Sequence, residues 1–251
     1  MDTFFMIKNI RHSIVNGLFG DKTSLKAVAL LLFIYHKTGQ NVVKRWSYNK
    51  IAKYSGVHHR TIEKRLDTLS DMGLAQVEGS SLVFRSVVSK HADRNINISD
   101  VKYDTLKDVE KSLYAILLCL IQTRKEFCKR TIRQAHESRQ FSVVKKARNL
   151  LRKYGWGGSY CERGLSYKGI ARKLGVSVKT AFDYVRFAVE RGFILLENHF
   201  NSTLIRNVNH YPIPGFTFTT SNYGFSVSAN TYTILSHIFN IKKGTTAGLG
   251  F

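Results

Sequence analysis

The chain has 251 residues, 43% of them hydrophobic and 12% aromatic, which suits one large or two modest cored domains and excludes a disordered chain. Its 39 Lys+Arg against 17 Asp+Glu leave a net charge of +22, an excess that points to a polyanion, nucleic acid before an anionic membrane surface. The longest apolar runs, 27–35 and 114–121, are under half the length of a bilayer span, so no membrane partner is expected.

No secretory leader is expected either, since Lys8 and Arg11 follow the short run 4–7 without a cleavage-like segment. Cys119, Cys128 and Cys161 are odd in number and form no CxxC pair, which argues against a disulfide framework or a thiolate zinc site and fits a cytoplasmic location. His58, His59 and His199 have no metal-ligand spacing, so neither a metal nor a cofactor is expected.

Taken in chain order, residues 23–37 (TSLKAVALLLFIYHK), closed by Gly39, predict a first helix. Ser47 is placed to cap a short helix that buries Ile51 and Ala52. Gly56 suits the left-handed residue of a sharp turn, and Val57 plugs the angle behind it. A second helix, begun at His58 or its neighbour, carries Ile62, Leu66 and Leu69 on one stripe and ends at Gly73. Residues 74–77 and 82–85, around Glu78-Gly79-Ser80-Ser81, read as a hairpin. Residues 104–122 predict a strong helix, with Thr105 and Asp108 spaced as a capping box. Residues 124–153 hold 11 Lys/Arg against two Glu, with a further helix at 142–154. Arg139-Gln140 and the glycines around Trp156 are the expected flexible points. Residues 207–241 contain no charged side chain but both prolines and seven aromatics, and 216–218 and 225–227 alternate like strands.

An internal repeat orders these elements. Residues 46–78 and 165–197 align over 33 positions without a gap, at a constant offset of 119. Nine positions are identical, among them the turn glycines Gly56/Gly175 and Gly73/Gly192, Ile51/Ile170 and Ala52/Ala171 on the expected buried face, and Thr61/Thr180. Helix, glycine turn, helix and hairpin, given twice, resemble the winged helix-turn-helix superfamily over roughly 23–90 and 140–208. In the second copy the hairpin is expected at 194–197 and 203–206.

The resemblance implies a mainly α fold with small β-hairpin wings (α+β), in which two winged helix-turn-helix domains are joined by a basic helical connector. The expected division is an N-terminal domain over 1–100, a connector over 101–140, a second winged domain over 141–208 and an uncharged strand-like segment over 209–251. It also implies double-stranded DNA as partner, with base edges read from the start of the second helix of each pair and phosphates gripped around it.

Carried onto this chain, the first copy offers His59, Arg60, Glu63 and Lys64 for reading, with Arg60 suited to guanine and Glu63 to cytosine. Tyr48, Lys50 and Thr61 are placed as phosphate contacts, and Arg85 leaves the wing. Lys64 and Arg65 could instead simply solvate an exposed helix face. The second copy departs from the pattern. Its reading positions are Val178, Lys179, Phe182 and Asp183, so that helix carries less positive charge, and Phe182 packs either on DNA, on a partner or within its own domain. Thr180, Lys168 and, on the wing, His199 and Arg206 complete that copy's contacts. On the connector, Arg124, Lys125, Lys129, Arg130, Arg133, Lys145, Lys146, Arg148, Arg152 and Lys153 are expected to form a phosphate-tracking surface, with a solvated helical face as the alternative.

The function expected is sequence-specific transcription regulation, with a plasmid or phage replication initiator, whose paired winged domains the layout resembles, as the alternative. A homodimer through the second module or the C-terminal segment is the other expected partner. An enzyme is not expected. His136-Glu137-Ser138-Arg139 does match the HxxR box of tyrosine recombinases, with Tyr160 and Tyr167 downstream, but no upstream arginine box accompanies it.

Overall fold

A computed structural model describes residues 7–90, 95–153, 165–197, 200–203, 224–227 and 231–235. The chain is mainly helical with small antiparallel sheets, an α+β composition. It divides into two compact units, one of Met1–Ile121, Tyr167–Ile194 and Ile234–Phe251, the other of Gln122–Ser166 and Leu195–Thr233.

The first unit opens with strand β1 (Asn9–Arg11) and a short helix α1 (His12–Gly17). Helix α2 (Lys22–Thr38) follows, its first amides capped by the Asp21 carboxylate, its end closed by Gly39 at φ +66°. Residues 27–34 are all buried, so α2 is a core helix covered on every side rather than an amphipathic one. Strand β2 (Val42–Lys44) leads to α3 (Tyr48–Ser55) and α4 (His59–Asp71). The Ser47 hydroxyl accepts from the Lys50 amide at 3.2 Å, and Gly56 turns the chain at φ +68°. Ile62, Leu66 and Leu69 of α4 are buried, and α4 packs on α2 and α3. Beyond Gly73 the Leu74 amide reaches back to the Leu69 carbonyl, an αL helix end that satisfies a terminal carbonyl.

Strands β3 (Ala75–Glu78) and β4 (Ser81–Phe84) form the expected hairpin, with Gly79 at φ +58° in its two-residue tip. β2 adds to the outer edge of β4, giving a three-stranded sheet of order β2-β4-β3. Strand β5 (Asn95–Asn97) pairs antiparallel with β1. Neither three-residue strand of that pair was predicted, because one buried isoleucine between polar neighbours offers too short a period-two signal.

Helix α5 (Leu106–Glu137) is capped by Thr105, whose hydroxyl donates to Asp108 at 2.7 Å while accepting from the Asp108 amide. It runs 32 residues, well beyond the predicted end near 122, because the sequence from 123 to 137 contains no glycine or proline to stop it. The break comes at Arg139, φ +55°, one of the expected flexible points. Residues 113–121 of α5 are buried all round. Among the described residues no helix is long and apolar enough to cross a membrane.

The second copy repeats these elements in register. Helix α6 (Phe141–Lys153) begins 119 residues after α2, and α7 (Tyr167–Leu174) and α8 (Val178–Glu190) match α3 and α4 end for end at that offset. Ile170, Ala181, Val185 and Ala188 are buried as their counterparts are. In the first unit α8 rests on α5: Tyr184 stacks on Tyr114 with centroids 4.0 Å apart, and Lys111 lies over the Phe187 ring.

The second hairpin requires correction. Strand β6 (Ile194–Glu197) pairs with β9 (Thr231–Ile234), and β7 (Phe200–Thr203) pairs with β8 (Gly224–Val227). β7 begins three residues earlier than predicted, at the same offset of 119 from β4, but β6 and β7 belong to different sheets. The uncharged C-terminal segment supplies both replacement strands, and Tyr232 of β9 is buried with its hydroxyl donating to the Leu165 carbonyl at 3.2 Å. Residues 216–218 lie outside the described residues.

Candidate nucleic-acid interface

Helix α4 sorts its side chains by period. Ile62, Leu66 and Leu69 hold it to the core, which leaves His59, Arg60, Thr61, Glu63 and Lys64 exposed on the outer face. Every residue proposed to read bases from the first copy is therefore accessible. The helix starts at His58, whose Nδ1 accepts from the Arg60 amide at 3.4 Å, a long and weak cap. The rings of His58 and His59 lie 4.2 Å apart.

Charge on this helix is more balanced than the composition suggests. Arg60, Lys64 and Arg65 are offset by Glu63, Asp67 and Asp71. Arg65 does not solvate the face, which rules out for it the alternative raised from the sequence. It is buried, and its Nη2 donates to Glu110 of α5 at 2.9 Å. The physical reason is position: Arg65 sits three residues after Ile62 and next to Leu66, on the border of the buried stripe. Any excess positive field around α4 must come from neighbouring elements. Lys22 at the start of α2, Lys44 and Arg45 at the end of β2, and Lys50 and Lys53 of α3 are exposed and supply it.

The predicted phosphate contacts divide. Thr61 is exposed and lines a cleft with Lys22, Thr23, Lys26, Lys64 and Arg65. Tyr48 is half-buried with its ring edge-on to Trp46 at 5.0 Å; partial burial, then the carboxylates of Glu63 and Asp67, raise its hydroxyl above the ordinary tyrosine range. Tyr48 thus remains a neutral donor at any physiological pH. The Lys50 ammonium donates to the Arg45 carbonyl at 2.9 Å, which fixes its position and leaves two of its three N–H donors for a phosphate. Arg85 is exposed just past β4, where its amide donates to Leu74. Lys22, Lys26, Lys44 and Arg45 were missed by reasoning from the motif, and only the spacing of Lys22 and Lys26 on one helix face hinted at them.

The second copy presents a different surface. Val178 and Phe182 are 51% and 46% exposed on α8, with Lys179 beside them. Phe182 meets Tyr167 edge-on at 5.3 Å, so half of its ring packs within the helix pair and half faces solvent. The Ser177 hydroxyl accepts from the Thr180 amide at 3.1 Å and shares a hydrogen bond with the Thr180 hydroxyl, the group expected to meet phosphate, at 2.8 Å. Lys168 is exposed on α7. Arg186 and Glu190 pair at 3.5 Å on the outer face, neutralising each other. Its turn glycine is close-packed: a Cβ on Gly175 would meet the Gly20 carbonyl oxygen at 2.7 Å.

Of the basic surface, Arg130 and Arg133 of α5 and Lys145 and Lys146 of α6 are exposed. Arg124 and Lys125 are 8% and 5% exposed and are withdrawn from any phosphate-tracking role. They continue the buried run of α5, where long aliphatic stems pack as apolar surface. Lys129 is described only by its backbone in α5, and His199, Arg206 and Tyr160 lie outside the described residues. His136 closes α5 with its ring edge-on to Phe141 at 6.4 Å, and Tyr167 is engaged with Phe182, so neither element of the HxxR pattern stands apart from local packing. Among the described residues no three His, Cys, Asp or Glu side chains converge as metal ligands.

No family model, curated protein or solved structure matches the chain.

Proposed function

We propose that the protein binds double-stranded DNA through a winged helix-turn-helix module formed by α2, β2, α3, α4 and the β3–β4 hairpin, and that it acts as a sequence-specific transcription regulator. The observation that carries this reading is the outer face of α4. Its first turns expose His59, Arg60, Glu63 and Lys64 together, while the stripe behind them is buried and the hairpin follows directly. Arg60 is the reader of a guanine through its two-pronged guanidinium, with Glu63 one turn on as an acceptor. A net charge of +22 supplies the sequence-independent attraction to phosphates.

The second helix pair has a different task in this reading. Val178 and Phe182 make α8 an apolar tip, suited to a homodimer contact or to thymine methyl groups. Unequal modules of this kind also accord with a replication initiator, which would read DNA with one module and a second copy of itself with the other.

Selection from a random duplex pool, carried out with the whole chain over a salt series, tests the proposal. An enriched motif that persists at physiological salt, and whose preference at one position relaxes in Arg60→Ala at a cost of about 1–3 kcal/mol, is the expected result. Binding that enriches no sequence at any salt would refute readout by α4. Placement of the motif over promoters, rather than as direct repeats beside an AT-rich tract, separates the regulator from the initiator.

A further inference from the structure

A cleft of about 270 Å³ lies between the start of α2 and the outer turns of α4, lined by Lys22, Thr23, Lys26, Thr61, Lys64 and Arg65. Four cations and two hydroxyl-bearing side chains thus share one concavity within a single unit of the fold. Like charges so placed repel one another, and the acidic groups at hand are already committed. Glu110 is bonded to Arg65 Nη2, and Asp21 caps α2 through the amides of Thr23 and Ser24 and the Ser24 hydroxyl. Because Asp21 fills that helix end, the helix dipole is not the attraction. Glu63, Asp67 and Asp71, which balance the cations of α4 along the helix as a whole, are not among the residues that line the cleft, and that lining carries four cations and no carboxylate.

Arg65 provides the second, independent sign of a ligand. It is 92% buried by its 8% exposure, it lines the cleft, and its Nη1 is buried without a hydrogen-bond partner. A charged donor left unsatisfied in a protein interior is costly, and native structures rarely leave one without a reason. Glu110 holds Nη2 of the guanidinium, which leaves Nη1 as one charge-assisted donor for an oxyanion. Lys22, Thr23, Thr61 and Lys64 are exposed, so the cleft is open to solvent along the side of α4. Thr61, Lys64 and Arg65 share a face at i, i+3 and i+4, and Arg60 and Lys64 are likewise one turn apart.

We propose that this cleft is a phosphate-binding site in which Arg65, flanked by Lys22, Lys26 and Lys64, clamps one backbone phosphodiester of the duplex next to the bases that α4 reads. The proposal rests on the DNA-binding reading above for its occupant, though not for its anion chemistry. It assigns Arg65 a double role: Glu110 positions it, and the phosphate completes its hydrogen bonding. Lys22 and Lys26, which no motif singled out, become contacts as important as those on α4 itself.

The test uses the whole chain and the Lys22→Gln/Lys26→Gln variant, which alters two side chains at the cleft mouth and leaves the buried ion pair intact. Inorganic phosphate is titrated while the amide resonances of Thr23 and Thr61 are followed, and duplex affinity is measured over a salt series. The expected outcome is saturable shifts of both amides in the wild type, their loss in the variant, and a log–log salt slope shallower by about 0.9 for the one phosphate lost. Duplex binding with an unchanged slope and unmoved amides would overturn the cleft assignment while leaving readout by Arg60 intact. Amide shifts that the variant abolishes, in a protein that binds no duplex, would keep the phosphate site and discard DNA as its occupant. Amide shifts with normal duplex binding and an unchanged slope would likewise make the site one for a free phosphate compound and overturn the clamp.

Discussion

Gly175 and Gly20 meet backbone to backbone: a Cβ on Gly175 would lie 2.7 Å from the Gly20 carbonyl oxygen, 3.1 Å from its carbonyl carbon and 3.2 Å from its Cα. The corresponding glycine of the first copy, Gly56, has nothing within 4 Å of such an atom. Both stand at φ near +65°, so alanine strains the backbone at either position by about 1–2 kcal/mol. Only at Gly175 does it also collide, adding an overpacking cost of about 1–3 kcal/mol. Gly175→Ala is therefore expected to lower the urea midpoint clearly more than Gly56→Ala. Equal losses would show that the approach to Gly20 is not maintained in solution.

The pair of Arg65 and Glu110 invites a double-mutant cycle. Glu110→Ala leaves a buried guanidinium without its carboxylate and is expected to destabilise by about 3–5 kcal/mol. Arg65→Met with Glu110→Leu removes both charges and is expected to recover most of that loss, because two desolvation penalties vanish together. The double variant should nonetheless bind duplex more weakly than wild type. Urea titration would then show stability nearly restored to the wild-type value while the salt series shows affinity still reduced.

Stability should fall at both extremes of pH. Burial pushes the Tyr103 and Tyr114 hydroxyls well above the ordinary value near 10, with Tyr184 adding to the effect at Tyr114. Below about pH 10 both tyrosines are protonated folded or unfolded, and the packing they provide is fully present. As pH rises past 10 the unfolded chain releases these protons first, so stability declines towards the folded value; Tyr114→Phe should flatten that decline. At the acid end His36 is held below its usual value by burial and then by Lys37, and Asp21 by its bonds to Ser24. Both folded values are depressed, so both contributions are present above the unfolded values and are lost as pH falls, His36 first below about 6.5 and Asp21 later. Denaturant midpoints from about pH 2 to 11 would check each limb, and a profile flat below pH 6.5 would count against the His36 assignment.

The two second helices are capped unequally. Ser177 accepts from Thr180 at 3.1 Å, whereas the His58 ring accepts from Arg60 at 3.4 Å. Ser177→Ala is expected to cost about 1 kcal/mol, and His58→Ala distinctly less. His58→Ser should stabilise α4 by about a few tenths of a kcal/mol, and thermal melts of the three variants check the order.

Phe182 separates the uses proposed for α8. Its edge contact with Tyr167 makes Phe182→Ser a loss of about 1 kcal/mol in stability. If α8 joins two copies, the same change should abolish concentration-dependent sedimentation while leaving the motif read by α4 unaltered. A sedimentation profile independent of concentration in wild type and variant alike would remove α8 as a dimer surface.

The helix pairs were legible in the sequence because their determinants are local. Gly56 and Gly175 can turn left-handed, Ser47 and Ser177 can cap, and Ile62, Leu66 and Leu69 recur at the helical period; the constant offset of 119 then carried one copy's boundaries onto the other. Exposure of His59, Arg60, Glu63 and Lys64 followed from the same periodicity. What depends on a partner far along the chain was not legible. Arg65 reads as one more surface cation until α5 brings Glu110 within 2.9 Å of it, 45 residues later in the sequence. The Lys22–Lys26 side of the cleft joins Thr61 and Lys64 only because α2 packs on α4. β6 and β7 sit where the repeat demands, yet their edges bond to β9 and β8, since strand pairing is a competition among all available edges and no local pattern names the winner. Sequence alone determined the two helix-turn-helix pairs and the outer face of α4, because glycine turns, caps and helical period are local. Tertiary structure decided which charges are cancelled and which are left to bind.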